Sequence, residues 1–302
     1  MSSPERPHAW EAPAENVVPG PVYEDIILAR GDDVAVWLSD IAATPEGVRL
    51  RLNGLAREAV ADDGPLVLEV AFADGRGARL THGDPEPADV VLHAMAGTSG
   101  SRRDLREVWL WPLPPDGPVT FTARWPAAGL EDVVATVDAA VLRDAAARAE
   151  VLWDDERPQG WRRSTSYGGR APRPDHVLPA VVPVEVQLGR GRDWAVWVER
   201  VAFDADGVRT FTVDVAARAE LPETSPRVAV GGREPDLVDA ARTGRRARFG
   251  FRAAGGPETV SFAWPEAGIG PLTAELAGAA RGEELWPAAP RPGGGGWLRY
   301  AS

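Results

Sequence analysis

The chain has 302 residues and a formal charge of −12, and all 33 of its basic side chains are arginine. With neither lysine nor cysteine, it has no Walker A loop, Schiff-base lysine, thiolate nucleophile, disulfide framework or zinc ribbon. The acidic total disfavours nucleic acid as a partner, no stretch approaches the roughly 18 apolar residues of a membrane span, and an apolar fraction of 44% with 12 Trp speaks for sizeable cores.

Residues 1–17 read as a flexible leader, because Pro4, Pro7 and Pro13 interrupt them and no basic-then-apolar signal pattern is present. A cytoplasmic location is the resulting expectation. Beyond the leader the chain repeats itself. Asp33-Val34-Ala35-Val36-Trp37-Leu38 returns as Asp193-Trp194-Ala195-Val196-Trp197-Val198, and Gly47-Val48-Arg49 as Gly207-Val208-Arg209. Trp125-Pro126-Ala127-Ala128-Gly129-Leu130 is answered by Trp264-Pro265-Glu266-Ala267-Gly268-Ile269. The closing pieces Val151-Leu152-Trp153 and Arg157-Pro158 to Trp161 match Glu284-Leu285-Trp286 and Arg291-Pro292 to Trp297. The matches are collinear, which is the mark of one unit used twice. Unit one is expected over 18–161 and unit two, with a Gly-rich tail, over 178–302. Between them lies an Arg-, Gly- and Pro-rich linker at 162–177.

Within each copy, period-two alternation predicts strands. Leu66, Leu68, Val70 and Phe72 share one face, as do Val119, Phe121, Ala123 and Trp125, and later Val260, Phe262 and Trp264. Turn signals such as Pro45-Glu46-Gly47, Asp74-Gly75 and Asp206-Gly207 separate the runs. One mismatch stands out. The apolar set is Val48, Leu50 and Leu52 in one copy but Phe211, Val213 and Val215 in the other, so either one copy carries a bulge or the local alignment is off by one. The Gly-, Pro- and Ser-bearing region 81–103 reads as a loop that the second unit lacks. Val137 to Trp153 is Ala-rich and helix-prone with Asp138 as N-cap, and its partner run from Ala274 to Leu285 is shorter and broken by Gly278 and Gly282. The fold class that follows is mainly β: two tandem antiparallel β-sandwich, Ig-like domains, each closed by a short helix.

Leu28-Ala29-Arg30-Gly31-Asp32-Asp33-Val34-Ala35-Val36, Trp111-Pro112-Leu113-Pro114-Pro115-Asp116-Gly117-Pro118 and Trp125-Pro126-Ala127-Ala128-Gly129-Leu130 together resemble an uncharacterised actinobacterial family of single-unit proteins. The resemblance covers most of unit one. Unit two keeps the Trp-Pro-x-Ala-Gly-Ile element and lacks the Trp-Pro-Leu-Pro-Pro piece. It implies a lineage and brings no activity or catalytic residue with it.

Four Trp pairs matched between the copies (Trp37 with Trp197, Trp125 with Trp264, Trp153 with Trp286, Trp161 with Trp297) read as framework. Trp109 and Trp111 are unmatched and share a strand face, so they are either a ligand platform or core, and apolar Val108 and Leu110 favour core. His82, Asp84 and His93, with Glu86 and Asp89, offer metal-ligand or acid–base chemistry, against the plainer reading of a polar loop. Arg242, Arg245, Arg246, Arg248 and Arg252 crowd one expected hairpin, and Arg157, Arg162, Arg163, Arg170 and Arg173 the linker. Both groups are either partner-binding or solvated charge. No cofactor fingerprint is present. The leading expectation is a non-enzymatic protein-interaction or scaffold protein with a protein partner or a second copy. The alternatives are a small-molecule or carbohydrate-binding module at Trp109, Trp111 and the 81–103 loop, and a metal-assisted hydrolase.

Overall fold

The computed structural model describes residues 8–14, 16–60, 64–153, 177–178, 180–182, 186–203, 208–254, 258–276, 283–284 and 296–298. It is mainly β and divides into two units: 1–158 with 285–301, and 159–284. The tail that the sequence attaches to the second unit is thus grouped with the first.

Unit 1 is built from two antiparallel sheets around one core. Its strands are β1 (Asp25–Arg30), β2 (Val34–Ala43), β3 (Val48–Ala56), β4 (Val67–Phe72), β5 (Gly77–Arg79), β6 (Val91–Gly100), β7 (Arg103–Trp111), β8 (Pro118–Trp125) and β9 (Leu130–Asp138). The larger sheet runs β1-β2-β3-β7-β6, with Gly20–Pro21 also on β2, and the smaller runs β9-β8-β4-β5. Alternation decides what each strand buries. Val48, Leu50 and Leu52 of β3 meet Leu68, Val70 and Phe72 of β4 and Phe121 and Trp125 of β8 in a single cluster. Helix α1 (Ala139–Ala147) adds Leu142 and Ala145 to that cluster, and the Asp138 side chain accepts from the Ala140 N–H at its start, as expected of an N-cap.

Unit 2 contains β10 (Val186–Arg190), β11 (Trp194–Phe203), β12 (Arg209–Ala217), β13 (Arg227–Val230), β14 (Asp236–Thr243), β15 (Arg246–Ala253), β16 (Glu258–Trp264) and β17 (Ile269–Leu276). One sheet runs β11-β12-β15-β14 with β10 also paired to β11, and the other runs β13-β16-β17. Phe211, Val213, Phe249, Phe251, Phe262 and Trp264 lie in its separate core. Of the second helix expected over Ala274 to Leu285, Ala274–Leu276 instead ends β17 and Glu283–Glu284 is a short strand, and the remaining residues lie outside the described ones.

The register settles the phase mismatch. Val48 opposes Ala43, whereas Arg209 opposes Phe203, so four residues separate the first pair in sequence and five the second. The local alignment was off by one, and Arg209, not Val208, stands where Val48 does. It is fully buried, with its guanidinium 5.4 Å from the Phe203 ring centroid.

Region 81–103 is a loop only in its first part, over 82–90. Ten of its residues form β6, which pairs along β7, and β14 pairs with β15 in unit 2. The small residues from Ala94 to Ser101 give a strand no apolar alternation to show. Finally, Gly296–Leu298 forms β18, antiparallel to β1, with Trp297 opposite Ile26.

Candidate functional site

The site lies on the face of the larger unit 1 sheet that points away from the core. On β7, Val108 and Leu110 belong to the core cluster, so Trp109 projects from the opposite face. That indole is nonetheless 0% exposed. Arg49 of β3 and His93 of β6 flank it in register, and both are buried. What meets this face is a segment of the chain that precedes the first strand. Trp109 Nε1 donates to the Ala9 carbonyl at 3.0 Å, and His93 Nε2 stands 2.7 Å from the Glu11 carbonyl. A carbonyl only accepts, so His93 carries its proton on Nε2. Burial pushes its pKa below the ordinary histidine value, against the opposing pull of the Glu11 carbonyl.

The docked segment is held in its own turn. The Glu11 N–H donates to the His8 carbonyl at 2.9 Å, the Glu11 carboxylate accepts from the His8 N–H at 3.1 Å, and the His8 and Trp10 rings stack at 5.2 Å and 12°. Ala12 is buried although it lies in no regular element. Further along, Asn16 Nδ2 donates to the Trp153 carbonyl at 2.8 Å and the Leu152 N–H donates to the Asn16 carbonyl at 2.8 Å. Two side-chain donors thus read two main-chain carbonyls two residues apart. Both contacts are to main-chain oxygens of the segment.

A second polar cluster sits on the core side of β7. Arg106 pairs with Asp104, donates to the Leu66 carbonyl at 3.0 Å and reaches His82 Nε2 at 3.0 Å. The imidazole accepts there in its neutral form, and desolvation and the Arg106 charge both lower its pKa. A guanidinium spent on three partners anchors structure.

The strand presents no open platform, the less favoured of the two readings of Trp109 and Trp111, because Trp109 is fully covered and Trp111 is half-buried. His82, Asp84 and His93 do not converge: His82 faces Arg106, His93 faces Glu11, and among the described residues no three His, Asp or Glu side chains gather as a metal site.

Three of the five arginines of the β14–β15 hairpin make internal side-chain contacts. Arg242 donates to the Pro222 carbonyl at 2.8 Å and lies over Phe249 and Trp264, Arg246 lies over Trp197, and Arg248 pairs with Glu199 and Asp214. Arg245 sits at the turn, its carbonyl accepting from the Ala217 N–H, and Arg252 opposes Asp236. The linker arginines lie outside the described residues.

Sequence reasoning missed Ala9 and Glu11, for which an Ala- and Pro-rich leader gives no signal. It also missed Asp104 and Arg106, whose two-residue spacing from Val108 and Leu110 would have placed them on the core face. No helix among the described residues is long and apolar enough to cross a membrane. No family model, curated protein or solved structure matches the chain.

Proposed function

We propose that the chain is a non-enzymatic protein-interaction or scaffold protein built from two tandem β-sandwich, Ig-like units that arose by duplication. The duplication is supported by irregularities that recur at matched places. The β1–β2 and β10–β11 pairs shift register between Ile27 and Ala29 and between Gln187 and Gly189. The turns after Trp125 and Trp264 share φ −137° and nearly the same ψ, 77° and 76°, and each ends on a left-handed glycine. What recurs is apolar and aromatic framework. The polar groups differ: His93 and Trp109 have no counterpart of their kind on β14 or β15.

The observation that carries the interaction reading is the capture of main-chain carbonyls by Trp109 and His93, a geometry that recognises polypeptide and has no evident use in bond-making chemistry. Sequence resemblance to an actinobacterial single-unit family is compatible with this and adds no activity.

The test is light scattering after size exclusion, combined with affinity capture in which each recovered protein is repurified and rebound. A defined homo-oligomer or a complex of fixed stoichiometry is expected. A strict monomer that rebinds nothing contradicts the reading.

A further inference from the structure

We propose that the outer face of the β3–β7–β6 sheet is an exchangeable polypeptide-docking site, that residues 8–12 occupy it in cis, and that its outside ligand is a polypeptide turn of the same chemistry, an aromatic side chain followed by a carboxylate. This rests on the interaction reading and names its surface.

Three features of the contact support exchange. Both sheet donors engage main-chain oxygens, so any chain offering two carbonyls at the spacing of Ala9 and Glu11 satisfies them. Trp109 has no exposure with the segment in place, so a vacated face opens a large apolar ring to water, and an occupant that covers the ring and offers an acceptor to Nε1 restores both burial and bond. The cis segment, in turn, owes its shape to bonds within itself, the two His8–Glu11 hydrogen bonds and the His8–Trp10 stack. A turn that carries its own geometry can be supplied by another molecule. Coverage also removes the Trp109 ring from service as a flat sugar platform.

The chemistry of the partner follows from the segment it replaces. The Glu11 carboxylate closes the turn on the His8 N–H, and the Trp10 ring stacks on His8. Arg49 and Glu107, 3.9 Å apart, supply the sheet's own charges on this face. A second copy of the chain offers the same segment.

The experiment uses the full chain and a fluorescein-labelled peptide of residues 7–14. In wild type the cis segment competes and binding is weak. In the His8→Ala/Glu11→Ala double variant the cis turn is loosened while the sheet is untouched, and binding is expected to tighten at least tenfold. Adding Trp109→Phe, which keeps an aromatic ring and deletes the donor, is expected to lower affinity tenfold or more. The Trp109 indole N–H resonance, assigned by its loss in Trp109→Phe, is expected to move on titration of the double variant.

If the double variant shows a native unfolding transition and still binds no peptide, the proposal is overturned. Binding that survives Trp109→Phe unchanged overturns it as well. A dimer of the double variant that the peptide dissociates supports it, with a second copy as the source. A captured partner that binds Trp109→Phe as well as wild type would sink this site while leaving the interaction reading in place.

Discussion

His93 is neutral in the folded chain because burial outweighs the carbonyl that it faces, and His82 is held the same way beside Arg106. The charged groups around His93 on its face are Glu11, Arg49 and Glu107. A base whose pKa is lowered by folding takes up its proton first in the unfolded chain. Stability is therefore expected to be flat above pH about 6.5 and to fall as the pH is lowered through that value towards the folded pKa. Urea midpoints between pH 7.5 and 5 measure the slope. His93→Gln, which keeps a neutral donor for the Glu11 carbonyl, is expected to remove the His93 share and leave that of His82. An unchanged slope would contradict the assignment. The same residues mark how far the sequence could be read. Apolar Val108 and Leu110 made Trp109 look central, and it is buried, yet from the other side and under a segment 100 residues away. Alternation reports which face a residue takes and is silent about what covers that face.

At the scale of elements, the Trp-Pro-x-Ala-Gly piece was legible as a repeated motif, and the structure makes it a turn. Proline sets φ at the start of a short 3-10 turn, and glycine ends it at φ 70° in one copy and 71° in the other, where its N–H donates to the proline carbonyl at 2.9 Å. A methyl group at either glycine would meet nothing within 4 Å, so the cost of adding one is that of the backbone alone. Gly129→Ala and Gly268→Ala are each expected to destabilise their own unit by about 1–2 kcal/mol, and by similar amounts, as read from denaturant midpoints. Strongly unequal costs would mean that the two turns are not equivalent. The strand β6 shows the opposite case. Its Gly, Ser and Thr residues carry turn statistics, and only pairing with β7 holds them extended. Pairing is a tertiary fact that a local pattern omits.

For the whole molecule, the two core clusters among the described residues share no residue, and one contains Trp125 and the other Trp264. Trp264→Ala is expected to cost about 3–5 kcal/mol in the transition of the second unit and to spare the first, with Trp125→Ala doing the reverse; calorimetry separates them. The arginines that seemed to relieve the −12 charge as a partner surface prove in part to be internal ties, with Arg242 over Trp264 and Arg248 between Glu199 and Asp214. The mainly β class was thus readable from alternation. The candidate site was not, because it joins a featureless leader to one strand face. The central claim, that this framework serves polypeptide recognition, is tested most directly by light scattering of the purified full chain, alone and with captured and repurified partners. A stoichiometric assembly weakened by Trp109→Phe is the expected result, and a strict monomer that rebinds no partner is the result that would contradict it.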